Sequence, residues 1–127
     1  VIKIKINYSS NTPLFIQIAQ AIEDDIISGI YKEDEMIIST TQLSKLLNIN
    51  PTTAVKAVGL LNEENILYKK RGVGMFVSKG ALEIIMEKRK NEFFNKKVKE
   101  FLDEAFKIGL NTNQIIEILR KESENRK

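Results

Sequence analysis

Apolar residues recur along this chain with changing periods, and each change of period marks an element. Ile2, Ile4 and Ile6 alternate with Lys3 and Lys5, which predicts a short half-exposed strand whose lysines guard its edge. Leu14, Ile18, Ile22 and Ile26 then recur every fourth residue up to Gly29, and Thr12–Pro13 ahead of them reads as an N-cap with proline at the first helical position. Ser39 with Gln42 has the spacing of a capping box and opens a short helix that buries Leu43, Leu46 and Leu47 and ends near Asn48. Asn50–Pro51 caps a third helix, in which Ala54, Ala57, Val58 and Leu61 face inward. A joint of about three residues between two capped helices is the pattern of a helix-turn-helix, whose second helix enters the major groove of DNA amino-terminus first.

The period then shortens. Ile66–Leu67–Tyr68–Lys69–Lys70, Arg71–Gly72–Val73–Gly74 and Met75–Phe76–Val77 predict a hairpin with a basic, glycine-bearing tip, the wing of a winged helix. From Ala81 to Ile108 the pattern is helical without an internal glycine or proline, closed by Gly109; at ~1.5 Å per residue such a helix reaches about 40 Å. Asn111 with Gln114 starts a last short helix carrying Ile115, Ile116 and Leu119. The predicted fold class is therefore mainly α with a small β-wing: a winged helix-turn-helix over residues 1–79, followed by a two-helix extension over 80–127.

Composition narrows the chemistry. The 127 residues contain no cysteine and no histidine, which removes disulfides, Cys/His zinc sites and histidine-based triads, and no metal or cofactor is expected. Runs of acids such as Glu23–Asp24–Asp25, Glu33–Asp34–Glu35 and Asp103–Glu104 lack an accompanying phosphate loop or nucleophile turn, and neighbouring acids on a helix point apart, so no enzyme is expected. No apolar run approaches a membrane span, which predicts a cytoplasmic protein with no membrane partner. The net charge of +3 is too small to argue for nucleic acid, but Lys69, Lys70, Arg71 and Lys79 occupy a stretch without acids, a candidate phosphate-contacting surface.

Four segments in order, Pro13–Leu14–Phe15, Ser39–Thr40–Thr41–Gln42–Leu43, Asn50–Pro51–Thr52–Thr53 and Arg71–Gly72–Val73–Gly74–Met75–Phe76–Val77, give the chain a resemblance to GntR-type transcriptional regulators over roughly residues 6–77. The Asn-Pro-Thr-Thr turn and the short carboxyl-terminal extension make it similar to the YtrA-like subfamily. That resemblance implies a bacterial repressor of its own operon, often including ABC-transporter genes. The chain departs from the family pattern at Ile38, where proline is usual, at Thr41, where a DNA-contacting arginine is usual, and at Val55, often basic.

The expected interface with double-stranded operator DNA comprises Thr40, Thr41, Gln42 and Lys45 from the second helix, Asn50, Thr52, Thr53 and Lys56 from the third, and Lys70, Arg71, Gly72 and Gly74 from the wing. Threonine hydroxyls and helix-start N–H groups would reach phosphates or base edges. Val55 stands between two roles, a thymine-methyl contact or a core residue. The long helix carries Leu82, Ile85, Met86, Phe93, Phe94, Val98, Phe101, Leu102, Ala105 and Phe106, a stripe too wide for a lone exposed helix. A second copy of the chain is the expected cover, giving a homodimer on a pseudo-palindromic site; folding back onto the winged domain is the alternative, and these aromatics also leave room for a small-molecule effector. The competing function is a winged-helix protein-interaction module that has lost specific DNA binding.

Overall fold

The computed structural model describes residues 6–127. The predicted amino-terminal strand lies outside the described residues except for Ile6, which is irregular. The first helix, α1 (Leu14–Ile27), buries Ile18, Ala19, Ile22 and Ile26, as the four-residue period requires. It starts one residue later than Thr12–Pro13 suggested: Pro13, with ψ 147°, is extended and is itself the cap. Gln17 reaches back instead, its Nε2 donating to the Thr12 carbonyl at 2.9 Å.

Helix α2 (Thr40–Leu47) opens on the predicted capping box, with Gln42 N donating to Ser39 Oγ and the Gln42 side chain accepting from Ser39 N. Leu43 is buried, Leu47 half-buried and Leu46 exposed, so only part of the expected leucine face reaches the core. Asn48 ends the helix in the left-handed region (φ 52°, ψ 52°), which turns the chain sharply into α3 (Pro51–Glu63). Ala54, Ala57, Val58 and Leu61 of α3 are buried against α1 and α2.

Strands β1 (Leu67–Lys70) and β2 (Gly74–Val77) pair antiparallel, Leu67 opposite Val77 and Lys69 opposite Met75. Residues 34–37 run along the other edge of β2, through Asp34 N to Val77 O at 2.7 Å and Ile37 N to Met75 O at 2.9 Å. That third segment ties the wing to the helices and buries Ile37.

Helix α4 (Ala81–Glu92) contributes Ala81 and Ile85, both fully inaccessible, to the same core. Ile85 is therefore not a surface residue awaiting a partner: it faces the winged-helix core, while Leu82 and Met86 on the same helix stay exposed. The described residues fall into two compact units that part between Glu87 and Lys88, where the sequence pattern suggests a boundary after residue 79.

In the second unit the expected unbroken helix is interrupted by a π-helical segment, Phe93–Val98, before α5 (Lys99–Lys107). Gly109 (φ 90°) reverses the chain, and the predicted Asn111–Gln114 capping box starts α6 (Thr112–Asn125). Ala105, predicted on the dimer face, is instead buried with Ile115 within this unit.

Two acids break the apolar logic of α1. Glu23 and Asp25 are both buried, and Asp25 Oδ2 has no hydrogen-bond partner. Desolvation pushes the Asp25 carboxyl above its usual range, with the neighbouring Asp24 charge acting in the same direction.

Candidate nucleic-acid interface

The start of α3 is fixed by its own cap. Asn50 Oδ1 accepts from Thr52 N at 2.9 Å, Thr53 N donates to the Asn50 carbonyl, and Pro51 has no N–H. The expected backbone donors at this helix end are thus already engaged, which leaves the side chains to face outward. Thr52 and Lys56 are exposed, and Thr53 is half-buried. Val55 is 56% exposed, which places it on the surface rather than in the core. The Lys56 ammonium lies 4.4 Å from the centroid of the Phe15 ring, so the start of α1 holds this lysine in place.

Backbone donors remain at α2 instead. Its first-turn N–H groups have no ladder acceptor, and only that of Gln42 is taken by Ser39. Thr41 and Lys45 are exposed beside them, Thr40 is half-buried, and the Gln42 side chain is engaged in the box. At Ile38, the backbone N–H donates to the Tyr31 hydroxyl at 3.2 Å. A proline there would remove that donor, so the departure from the family pattern has a local partner.

The wing separates its two lysines by strand alternation. Lys70 and Tyr68 share a face with Phe76: the rings of Tyr68 and Phe76 stack at 5.7 Å, and the Lys70 ammonium sits 4.4 Å from the Phe76 centroid. Tyr68 donates to Asp34 Oδ1 at 2.9 Å, and that bond to a carboxylate raises its phenol above the ordinary value. Lys69 shares the other face with the buried Leu67 and Val77 and so faces α3. At the tip Arg71 is exposed and Gly72 adopts φ 76°; Gly74 (φ 154°) lies where a Cβ would meet Met36 Sδ at 3.0 Å.

Between α3, the start of α2 and the wing lies a cleft of about 400 Å³. It brings together Thr40, Val55 and Gly74 with Asn62 and Lys69. Asn62 had no signal in the sequence beyond lying seven residues after Val55 on the same helix face. Lys69 was legible as the residue two positions after the inward-facing Leu67. Among the described residues no cluster of acids suited to a metal ion is present, and no helix is long and apolar enough to cross a membrane.

Residues 15–77 match the family described as bacterial regulatory proteins, gntR family. Over 118 residues, 93% of this chain and 90% of its relative, the sequence is 27% identical to the HTH-type transcriptional repressor YtrA of Bacillus subtilis. The structure superposes with a TM-score of 0.79 on a GntR-family transcriptional regulator from Bacteroides thetaiotaomicron, 28% identical, covering 91% of this chain and all of that one. The DNA-binding domain of AraR in complex with operator ORX1 is 26% identical, with a TM-score of 0.53, over 58% of this chain and 92% of that one. With its capped α2–α3 pair and two-stranded wing inside the matched span, the chain belongs through its winged-helix unit to the gntR family of bacterial regulatory proteins and is a DNA-binding transcriptional regulator.

Proposed function

We propose that this regulator is a cytoplasmic homodimeric repressor that grips a pseudo-palindromic operator and has no catalytic activity. The observation that carries the DNA half of this reading is α3, a capped helix whose Thr52, Val55 and Lys56 are exposed beside a wing. Thr52, Thr53 and Lys56 would meet base edges and phosphates; Thr40, Thr41 and Lys45 would clamp the backbone from α2; Arg71, Gly72 and Gly74 would approach the adjacent groove. Asn50 and Gln42 serve this interface by holding helix starts, and Lys70 serves it from the far face of the wing.

The second unit supports the dimer. Of residues 88–127 only Ala105 and Ile115 are buried, whereas Phe93, Phe94, Phe101, Phe106, Ile116 and Leu119 are between 42 and 58% exposed. Forty residues with so little interior do not hold a fold alone, so a second copy covering this surface is the economical solution. Leu82, Met86, Val98 and Leu102 remain candidates for the same interface. A small-molecule effector would act by altering how the helices of two copies pair; the groove of about 270 Å³ between α5 and α6, lined by Phe101, Ile108, Leu110 and Ile118, is its candidate site. Control of its own operon, ABC-transporter genes included, follows from the resemblance to the YtrA-like branch.

The competing reading, a protein-interaction module, draws on Thr41, where arginine is absent, and on the ring contacts of Lys56 and Lys70. Fluorescence titration against the chain's own promoter and a random duplex, at two salt concentrations, separates the two. The repressor reading expects promoter binding at least about a thousandfold tighter than random. Weak and equal binding to both favours the interaction module. A truncation used to test dimerisation belongs after Glu87, since a cut at residue 80 also removes Ala81 and Ile85 from the core.

A further inference from the structure

Gly59 lies in the interior of α3, where glycine weakens a helix relative to alanine. Nothing in the chain explains it: a Cβ at this position would have no atom within 4 Å. The helix is bare there, and the bare stretch opens onto the cleft that Thr40, Asn62 and Lys69 border. Among the described residues no carboxylate pairs with Lys69, and its ammonium is on the α3 side of the wing.

Any duplex that receives α3 in its major groove and the wing in or beside its minor groove must pass one sugar-phosphate strand between them, because that strand is the wall the two grooves share. We infer that this cleft is the seat of that strand: Lys69 and Asn62 bind its phosphates from either side, Thr40 closes the end at α2, and Gly59 keeps the helix low enough for the backbone to lie against it. The inference rests on the DNA-binding reading and deepens it. It assigns the principal phosphate contact of the wing stem to Lys69, and a supporting role to Lys70, whose ammonium is held over Phe76 on the opposite face.

The test uses the full chain and a mixed-sequence duplex of about 30 base pairs, with binding measured between ~50 and ~200 mM salt. Lys69→Gln is expected to reduce the log–log salt slope by about 0.9, one phosphate contact, and Lys69→Arg to restore it. Lys121→Gln, at an exposed lysine of α6 outside the interface, is expected to leave the slope unchanged. Gly59→Ala should raise the thermal midpoint while weakening binding, and Gly59→Leu should weaken binding at least about tenfold with the circular dichroism spectrum intact. Loss of affinity in a variant that folds better cannot be a folding defect. The inference is overturned by a Lys69→Gln slope equal to wild type, or by Gly59→Leu binding as wild type does, while the wild-type chain still binds DNA. A wild-type chain with no salt-dependent duplex binding at all overturns the DNA-binding reading, and this inference with it.

Discussion

Ile85→Ala discriminates between a residue committed to the winged-helix core and one that waits for a partner. Ile85 is fully buried, packed in the cluster that includes Ile18, Leu61 and Ile66. The substitution removes three carbons, worth about 2.4 kcal/mol at roughly 0.8 kcal/mol per methylene, and the cavity left in a packed interior brings the loss to about 3–4 kcal/mol. For a unit of this size that lowers the thermal midpoint by roughly 15 °C. Urea and thermal unfolding should be followed by far-ultraviolet circular dichroism, since the chain has no tryptophan. The loss must be the same at low and high protein concentration. A loss below about 1 kcal/mol, or one that shrinks as concentration rises, would refute the placement of Ile85 inside one chain and return it to the dimer face.

Three further outcomes are expected. Asp25 holds its proton more tightly when folded, so its favourable contribution is complete below the ordinary carboxylate value of 3.8 and is lost as pH rises through the folded value; Asp25→Asn should therefore stabilise the chain by about 1–2 kcal/mol at pH 7 and by nothing in stronger acid, as read from unfolding midpoints across pH. Gly74→Ala should destabilise by about 1–2 kcal/mol through its positive φ and the contact with Met36 Sδ, and Met36→Ala in the same chain should recover part of that in a double-mutant cycle. Phe101→Asp should weaken self-association by at least about a hundredfold in analytical ultracentrifugation while leaving the unfolding of the winged-helix unit intact; an unchanged sedimentation profile would remove Phe101 from the interface.

What the sequence made legible was chemistry that acts within a few residues. The Ser39–Gln42 and Asn111–Gln114 boxes, the Asn50 cap with Pro51 behind it, and the Gly72 turn each form from neighbours alone, and each is present. Matters decided by distant covering were harder to read. The stripe beginning at Leu82 carries the same periodicity whether the winged domain or a second chain buries it, so Ile85 and Ala105 could not be told from Phe101. Nor does a buried acid announce itself: Glu23 and Asp25 look like a solvated face until α1 is packed. Alternation along Leu67–Lys70 separates Lys69 from Lys70, whereas nothing in the apolar spacing marks the π segment at Phe93–Val98. At the site, the third helix and wing were readable as elements, but the cleft joining them needs the register of the hairpin against α3.

The central claim, specific duplex recognition by α3, is tested most directly by a DNase I footprint across the DNA upstream of the chain's own gene. The wild type should be compared with a chain carrying Thr52→Ala, Thr53→Ala and Lys56→Ala, two exposed residues of α3 and the half-buried one beside them. The account predicts two protected half-sites with centres about 10 base pairs apart, or a multiple of that spacing, and their loss in the triple variant. Protection that survives the triple substitution, or an unprotected promoter at every concentration of the wild type, would contradict it.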